Sequence, residues 1–215
     1  MAGAIARIAV LTAALALLTA CAAKRESIPS RLDLSAAACG SDVPVANAAV
    51  LTREKADQPF KATVRIGDGA PCVMDASGAR STFQVFAIPP GDAMMITIVS
   101  VPLGETIFSP RLQMRDANGA VLREVARDMF MFNGNALQVQ LRLREGERFV
   151  VALSDPATVG KSVTNIASST STTVVPAGPV FIPVTSGGES LSKLTFAHNG
   201  EVTVIVGPIP DAARR

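Results

Sequence analysis

The sequence predicts an all-β protein whose folded part is a single antiparallel β-sandwich of the jelly-roll-like kind. Three observations predict it. Short segments alternate apolar and polar residues with the period of a β-strand, and turn signals rich in Gly, Pro, Asn and Asp separate these segments. No long helical pattern follows the first apolar run of the chain. Many short strands with turns between them favour a sandwich.

The first apolar run begins near Ile8 and ends at Cys21, between Arg7 and the pair Lys24-Arg25. It is shorter than the ~20 apolar residues that a helix needs to cross a bilayer. A positively charged start, a short apolar stretch and small residues at its end are typical of a secretory signal peptide. We therefore expect residues 1–20 to be a signal peptide.

The end of this leader, Leu18-Thr-Ala-Cys21, resembles the bacterial lipobox, which has an aliphatic residue, two small residues and an obligatory cysteine. The resemblance implies that the Cys21 thiol is acylated and that the lipid bilayer is the first partner of the protein, since two or more acyl chains anchor stably. An ordinary signal peptide with a chance cysteine is the alternative. Ala22 and Ala23 replace the aspartate of the enterobacterial inner-membrane signal, which implies an anchor in the outer membrane, facing the periplasm.

Composition limits the other partners and ligands. The chain has 215 residues, 48% of them hydrophobic, and a net charge of +2 without a basic cluster, so we expect one globular domain and no nucleic-acid partner. Cys39 and Cys72 remain once Cys21 is assigned to lipid, and an isolated pair in an exported protein predicts a disulfide. Two unrelated buried thiols are the alternative. Two cysteines and one distant histidine do not form a closed metal site, so we expect no metal and no cofactor.

The mature chain divides into three predicted parts. Residues 21–58 are rich in Ala, Ser and Pro, and we expect a flexible lipidated tether with one short helix near Ala46 to Glu54. Residues 59–208 carry the strand patterns of the sandwich. Within them, the polar, Ser/Thr-rich passage at about 158–188 is expected to be an irregular excursion. Residues 209–215 are expected to be a disordered tail.

The clearest strand pattern is Ala136–Arg144, whose apolar residues at alternate positions are predicted to face the core: Leu137, Val139, Leu141 and Leu143. The turn Glu145-Gly-Glu147 predicts that this strand forms a hairpin with Arg148–Ser154. A second hairpin is predicted to join Arg111–Arg115 to Ala120–Val125 through Asn118-Gly119. The remaining predicted strands are Lys61–Ile66, Thr82–Ile88, Met94–Val99, Met129–Phe132, Leu191–Phe196 and Glu201–Val206.

Two families resemble parts of this pattern. The stretch Ser81–Gly91, then Met94–Ser100 and Leu112–Gly119, resembles the pre-peptidase C-terminal type of β-sandwich, with Met114 at the second leucine of its Leu-x-Leu-x-Asp-x-x-Gly part. The closer resemblance is to the maltose operon periplasmic protein (MalM) family. It is carried by an Ile-Pro strand end, by an Asp-x-Asn turn and by three segments: Phe108-Ser-Pro110, Met129–Phe132 and Val204–Pro208.

The MalM resemblance implies a non-catalytic binding or scaffolding module that is accessory to maltose or maltodextrin uptake. The alternative is a structural envelope lipoprotein whose sandwich binds another envelope protein and no sugar. The chain has no Trp and no Tyr, the side chains that best combine stacking with a polar group. Weak ligand contact is therefore assigned to Phe130, Phe132 and Phe181, with burial in the core or at its rim as the alternative.

The sequence predicts no catalytic residue, and we expect that the protein is not an enzyme. Its one histidine, His198, lies beside Asn199-Gly200 in a predicted turn, where a histidine is usually solvated. No Gly-x-Ser-x-Gly motif marks a serine nucleophile.

We expect Cys21→Ser to abolish lipidation, because the lipobox resemblance makes this thiol the acylation site. Growth with radiolabelled palmitate followed by membrane fractionation measures the change. Undiminished label in the variant would contradict the lipobox interpretation.

Overall fold

The computed structural model describes residues 31–91, 94–177 and 180–209. Strands make up 54% of the chain and no α-helix occurs in the described ranges, which confirms the all-β prediction. None of the described segments is a helix long and apolar enough to cross a membrane. The one helical element there is a 3-10 turn at Arg127–Met129.

The strands form three sheets, which we number in chain order. The six-stranded sheet contains β1 (Ala49–Val50), β3 (Cys72–Met74), β4 (Arg80–Ala87), β7 (Pro110–Arg115), β8 (Val121–Val125) and β11 (Phe149–Ser154). The five-stranded sheet contains β2 (Phe60–Ile66), β5 (Met94–Val101), β9 (Met131–Asn133), β10 (Ala136–Arg142) and β14 (Gly200–Pro208). The third sheet contains β6 (Thr106–Phe108), β12 (Ser162–Ala177) and β13 (Val180–Ala197).

The order of strands is β1-β4-β11-β7-β8 in the six-stranded sheet, with β3 paired to β4, and β2-β14-β5-β10-β9 in the five-stranded sheet. Most neighbours are antiparallel, as predicted. Two short parallel pairs, β1 with β4 and β6 with β13, were not expected from the sequence.

The two larger sheets share one core, which confirms the sandwich-like architecture. The six-stranded sheet contributes fully or almost fully buried residues such as Phe86, Leu112 and Val150, and the five-stranded sheet contributes Ile98 and Val204. The alternation of β10 is also confirmed. Its apolar side chains are buried or packed against this core: Leu137, Val139 and Leu141, with Leu143 just beyond the strand.

The centre of the six-stranded sheet, at β4 and β11, is buried on both of its faces. On β11, Val150 and Ala152 belong to the core between the sheets, whereas Val151 and Leu153 belong to a second cluster on the outer face. The second cluster also contains Phe83 and Val85 of β4 and Val73 of β3, and Val43 from the N-terminal segment covers it. A strand that is buried on both faces is apolar along its whole length, as Phe149–Leu153 is.

This covering role makes the predicted tether shorter than residues 21–58. Leu34, Val43 and Leu51 are buried, at 4–6% exposure, so the chain is packed against the sandwich well before residue 59. The predicted helix near Ala46 to Glu54 is wrong, because Ala49–Val50 pairs in parallel with Phe86-Ala87. At the other end, Ile209 is buried, and the rest of the expected tail lies outside the described residues.

One predicted hairpin is wrong and the other is confirmed. Strands β10 and β11 do not pair: β10 pairs with β5 and β9, while β11 pairs with β4 and β7 of the opposite sheet. The chain therefore crosses the sandwich at Leu143–Arg148. Strands β7 and β8 form the expected hairpin, and Gly119 has the positive φ of 84° that the Asn-Gly turn requires.

The passage at 158–188 is not the irregular excursion that we expected. Most of it lies in a long hairpin, because β12 and β13 pair continuously from Ser162↔Thr195 to Ala177↔Val180. Beta-branched Thr, Val and Ile residues recur through this passage and favour strands in spite of its polar character. We call this element the hairpin arm.

We expect neighbouring positions to respond differently in β10 and β11. In β11, Val150→Thr and Val151→Thr should each lower the free energy of unfolding by about 1–3 kcal/mol, because each buries a hydroxyl on a different apolar face. In β10, Val139→Thr should do the same, while Gln140→Thr, at an exposed position, should stay within about 0.5 kcal/mol. Urea unfolding curves of the four variants measure this. A near-neutral Val151→Thr would contradict burial of the outer face.

Candidate functional site

The disulfide between Cys39 and Cys72 is present, as the sequence predicts. The two Cα atoms lie 4.8 Å apart, and the bond joins residues 33 positions apart in the chain. Two backbone hydrogen bonds next to the disulfide also join Gly40 to β3. The Gly40 N–H donates to the Cys72 carbonyl at 3.0 Å, and the Met74 N–H donates to the Gly40 carbonyl at 2.9 Å. The bond therefore holds the N-terminal segment to the edge of the six-stranded sheet.

The first described residues of the chain lie at the end of the hairpin arm where β12 begins and β13 ends. We call this end the root of the arm. The Leu32 N–H donates to Asn199 Oδ1 at 3.0 Å, one turn after β13 ends. A Cβ placed on Gly160, just before β12 begins, would lie 2.9 Å from the Arg31 guanidinium. The Arg80 guanidinium donates to the Leu34 carbonyl at 3.2 Å. The chain thus joins the sandwich at the end from which the arm projects.

A serine and the histidine meet at this same junction. Ser154 Oγ lies 2.7 Å from His198 Nδ1 and accepts a hydrogen bond from the Thr82 N–H at 3.0 Å. Ser154 is fully buried, and the Thr82 hydroxyl donates to the His198 carbonyl. The pair therefore ties β4 and β11 to the turn before β14, and its hydroxyl is closed to an external substrate. The expectation of a solvated His198 is wrong, because the side chain is half-buried and hydrogen-bonded.

Burial sets the protonation of His198. Desolvation lowers the pKa of this imidazole below its ordinary value of 6.5, and the nearby Arg31 cation lowers it further. The carboxylate of Asp33 opposes these two effects. At neutral pH the side chain is therefore the uncharged imidazole, which suits its contact with a neutral serine.

A cleft of about 280 Å³ lies at the open side of the six-stranded sheet, where β7 begins, β8 ends and the chain leaves β11. Polar side chains dominate its lining. The charged or amide side chains there are Arg111, Gln113, Glu124, Arg127 and Asp155.

The two arginines of this cleft have hydrogen-bond donors to spare. The Nε atoms of Arg111 and Arg127 are both buried and have no hydrogen-bond partner. Their other contacts are long, 3.5 Å from Arg111 to Ser81 Oγ and 3.4 Å from Arg127 to the Phe130 carbonyl. Burial lowers the pKa of Arg127, against the opposing charges of Asp155 and Asp128. The buried Nε atoms are closed to a ligand, but the terminal Nη atoms make only these long contacts and keep donors for an external acceptor.

The acidic side chains of the cleft are better satisfied. Glu124 Oε1 accepts from Gln113 Nε2 at 2.8 Å, and Asp155 accepts from the Ala157 N–H at 3.1 Å and from the Thr158 hydroxyl. With two cations and two carboxylates, the cleft has no net charge. Unpaired donors beside carboxylate acceptors in a neutral cleft suit an uncharged ligand rich in hydroxyl groups, because a hydroxyl both donates and accepts.

Underneath the cleft, the Arg127 guanidinium stacks on Phe196, 4.4 Å from the centre of the ring. This contact fixes the arginine by a cation–π interaction. Sequence reasoning missed Arg111 and Arg127 as candidate binding residues, because a strand arginine and a turn arginine look like ordinary solvated residues and no motif links them.

The phenylalanines assigned to weak ligand contact do not form a site. Phe130 is buried in the core at 4% exposure, so its assignment as a ligand contact is wrong and the core alternative is right. Phe132 is half-buried and packs against the same core. The side chain of Phe181, in β13, lies outside the described part of the molecule, and so does Cys21.

A second polar feature is structural. Glu147 is buried at 3% exposure, and its carboxylate accepts from Arg123 Nε at 2.6 Å and from the Arg144 N–H at 2.9 Å. Arg123 also donates to the Arg142 carbonyl. These bonds satisfy the buried charge and join β8 to the crossing between β10 and β11, although Arg144 and Glu147 also line a cleft of about 500 Å³.

Within residues 31–91, 94–177 and 180–209, no group of three or more His, Cys, Asp or Glu side chains is placed to hold a metal ion. The comparisons with known proteins are negative throughout: no protein-family model, no curated protein and no solved structure matches the chain.

We expect acid to destabilise the protein through His198. The pKa of this side chain is lowered in the folded state, so as the pH falls below 6.5 the unfolded chain takes up a proton before the folded chain does, and stability is lost. Above pH 6.5 the histidine contributes no pH dependence. The drop in melting temperature from pH 7.5 to pH 5.5 should therefore be smaller in His198→Gln than in the wild-type protein. An equal drop in both would contradict the burial of His198.

Proposed function

We propose that the protein is an outer-membrane-anchored periplasmic lipoprotein of the MalM type, held by acylated Cys21, whose sandwich is a non-catalytic binding module accessory to maltose or maltodextrin uptake. The neutral cleft of Arg111 and Arg127 is the observation that carries the binding role. Its spare donors and its carboxylates match the hydroxyl groups of a sugar.

The envelope location is supported by the leader and by the disulfide. Leu18-Thr-Ala-Cys21 has the order of a lipobox. The Cys39–Cys72 bond is consistent with an oxidising compartment such as the periplasm. The non-catalytic role is supported by the full burial of Ser154, which leaves the Ser154–His198 pair without access to a substrate.

A second candidate function has its own observation. Along the edge where β8, the 3-10 turn and β9 follow one another, four large apolar side chains are 45–73% exposed: Val121, Leu122, Met129 and Met131. Large exposed apolar side chains on and between two edge strands favour a protein contact. The alternative is therefore a structural envelope lipoprotein that binds another envelope protein through this edge and binds no sugar.

Calorimetry separates the two functions. The full chain, held in a detergent without a sugar headgroup, is titrated with maltose, maltotetraose and maltoheptaose. We expect heat of binding, and we expect Arg111→Met to weaken the affinity at least about tenfold. A hydrogen bond to a charged group contributes about 1.5–3 kcal/mol, and about 1.4 kcal/mol is a factor of ten. The methionine keeps the apolar stem of the arginine and removes its donors.

The matched control is Arg142→Met, which removes an exposed arginine from β10 of the other sheet. Its affinity should equal that of the wild-type protein. Absence of heat with all three sugars would contradict the binding role and favour the structural one. Equal weakening by Arg111→Met and Arg142→Met would contradict the assignment of the cleft.

A further inference from the structure

The hairpin arm is much longer than β6, the three-residue strand that pairs with it. Sixteen residues of β12 pair with β13, a length of about 50 Å at the usual rise of a strand. The contacts with the body of the protein that the structure describes lie at its root. Strand β6 pairs with Thr195–Ala197, Leu194 and Phe196 are buried, and Val163 packs against the core. Leu191 is already 73% exposed.

The composition of the arm changes along its length. Near the body, Asn165–Thr173 and Thr185–Ser192 consist mainly of Ser, Thr and Gly. At the far end, Val174–Ala177 and Val180–Val184 contain no charged side chain and no side chain that forms hydrogen bonds. We call these two facing segments the apolar tip. The end of a long ribbon is normally its most polar part, so an apolar tip indicates a contact with something apolar.

Two prolines in the apolar tip indicate whether it contacts a protein strand or lipid. Pro183 lies opposite Val174, and Pro176 lies opposite Phe181, so the two prolines occupy rungs two apart. In an antiparallel ladder alternate rungs are hydrogen-bonded, and a proline has no N–H to give. Both prolines therefore belong to the pairs that are not hydrogen-bonded, in which the backbone N–H groups point away from the partner strand. They remove donors from both outer edges of the ribbon.

The loss of these donors has two consequences. An edge interrupted by proline is a poor template for another strand, so the tip is unsuited to a protein that adds to a sheet. The same loss makes entry into hydrocarbon easier, because an unpaired N–H is strongly disfavoured there. Both consequences favour lipid.

The N-terminal anchor brings lipid within reach. The chain joins the sandwich at the root of the arm, where Leu32 is bonded to Asn199 and Arg31 lies beside Gly160. Residues 22–30 separate Cys21 from Arg31, and about ten residues of fully extended chain span at most roughly 35 Å. An acylated Cys21 thus keeps the root of the arm closer to the bilayer than the length of the arm.

We propose that the apolar tip inserts into the bilayer that holds the Cys21 anchor and forms a second membrane contact of the protein. The inference rests on the proposed lipid anchor for the identity of the bilayer. The four rungs from Val174↔Pro183 to Ala177↔Val180 reach a depth of about 13 Å, less than half of a ~30 Å hydrocarbon core. The insertion is therefore shallow and one-sided.

A fluorescent label on the tip tests this directly. The full chain carrying Val180→Cys is labelled with the environment-sensitive dye NBD and reconstituted into vesicles of phosphatidylethanolamine and phosphatidylglycerol at a ratio of 3:1. We expect a blue-shifted emission that lipids carrying a nitroxide near the headgroup quench. The matched control label is at Ser186→Cys, an exposed position of the same strand in the part of the arm between the root and the apolar tip, which we call the stem. Its emission should be that of the dye in water. Water-like emission from both labels overturns the proposal.

Two further measurements keep the result specific. Adding Phe181→Asp to the Val180→Cys chain should return the label to water-like emission, whereas adding Thr173→Asp, at an exposed stem position, should not. An unchanged blue shift with Phe181→Asp overturns the proposal. Mass spectrometry of the same preparation reports whether Cys21 is acylated. An unacylated chain with a blue-shifted tip supports insertion and refutes the anchor, while an acylated chain with a water-like tip does the reverse.

Discussion

The fold depends on a constraint that a two-layer sandwich does not usually have: the central strands β4 and β11 of its larger sheet must be covered on both faces. One face meets the five-stranded sheet, and the N-terminal segment covers the other through Val43, next to the Cys39–Cys72 bond. Because this segment also carries the chain from Cys21, the covering layer fixes where the chain joins the sandwich. The root of the hairpin arm and the proposed anchor consequently lie at the same end of the protein.

The positions of most strands could be predicted from the sequence. Which strands pair with each other could be predicted only in part. The alternation of apolar and polar residues in β10 predicted its buried face correctly, because the other face of this strand is exposed to solvent. The continuous apolar run of β11 was the signal that it belongs to a different sheet, since both of its faces are buried. The glycine turn between these strands resembled a hairpin and concealed the crossing. The β7–β8 hairpin was predictable because Asn118-Gly119 specifies its turn geometry locally.

The cleft and the arm were less accessible to sequence reasoning. Arg111 and Arg127 are brought together only by the packing of β7 against the turn that follows β8, a contact with no periodic signature. The disulfide was predictable because only two cysteines remained after Cys21. The arm was hidden because Ser- and Thr-rich composition suggests an irregular loop, although its β-branched Thr, Val and Ile residues also suit strands. Its apolar tip was visible in the sequence, but its position at the end of a long ribbon required the structure.

The central claim is that the segment around Cys39 is a covering layer of the sandwich and not a free tether. Hydrogen exchange of the backbone amides in the full chain tests it most directly. The Gly40 amide bonds to the Cys72 carbonyl and the Met74 amide bonds to the Gly40 carbonyl, beside the disulfide. Both amides should exchange as slowly as those of β1. When the disulfide is reduced, they and the amides of the outer-face cluster should begin to exchange faster together. Exchange of the Gly40 amide at the rate of an unstructured peptide in the oxidised protein would contradict the account.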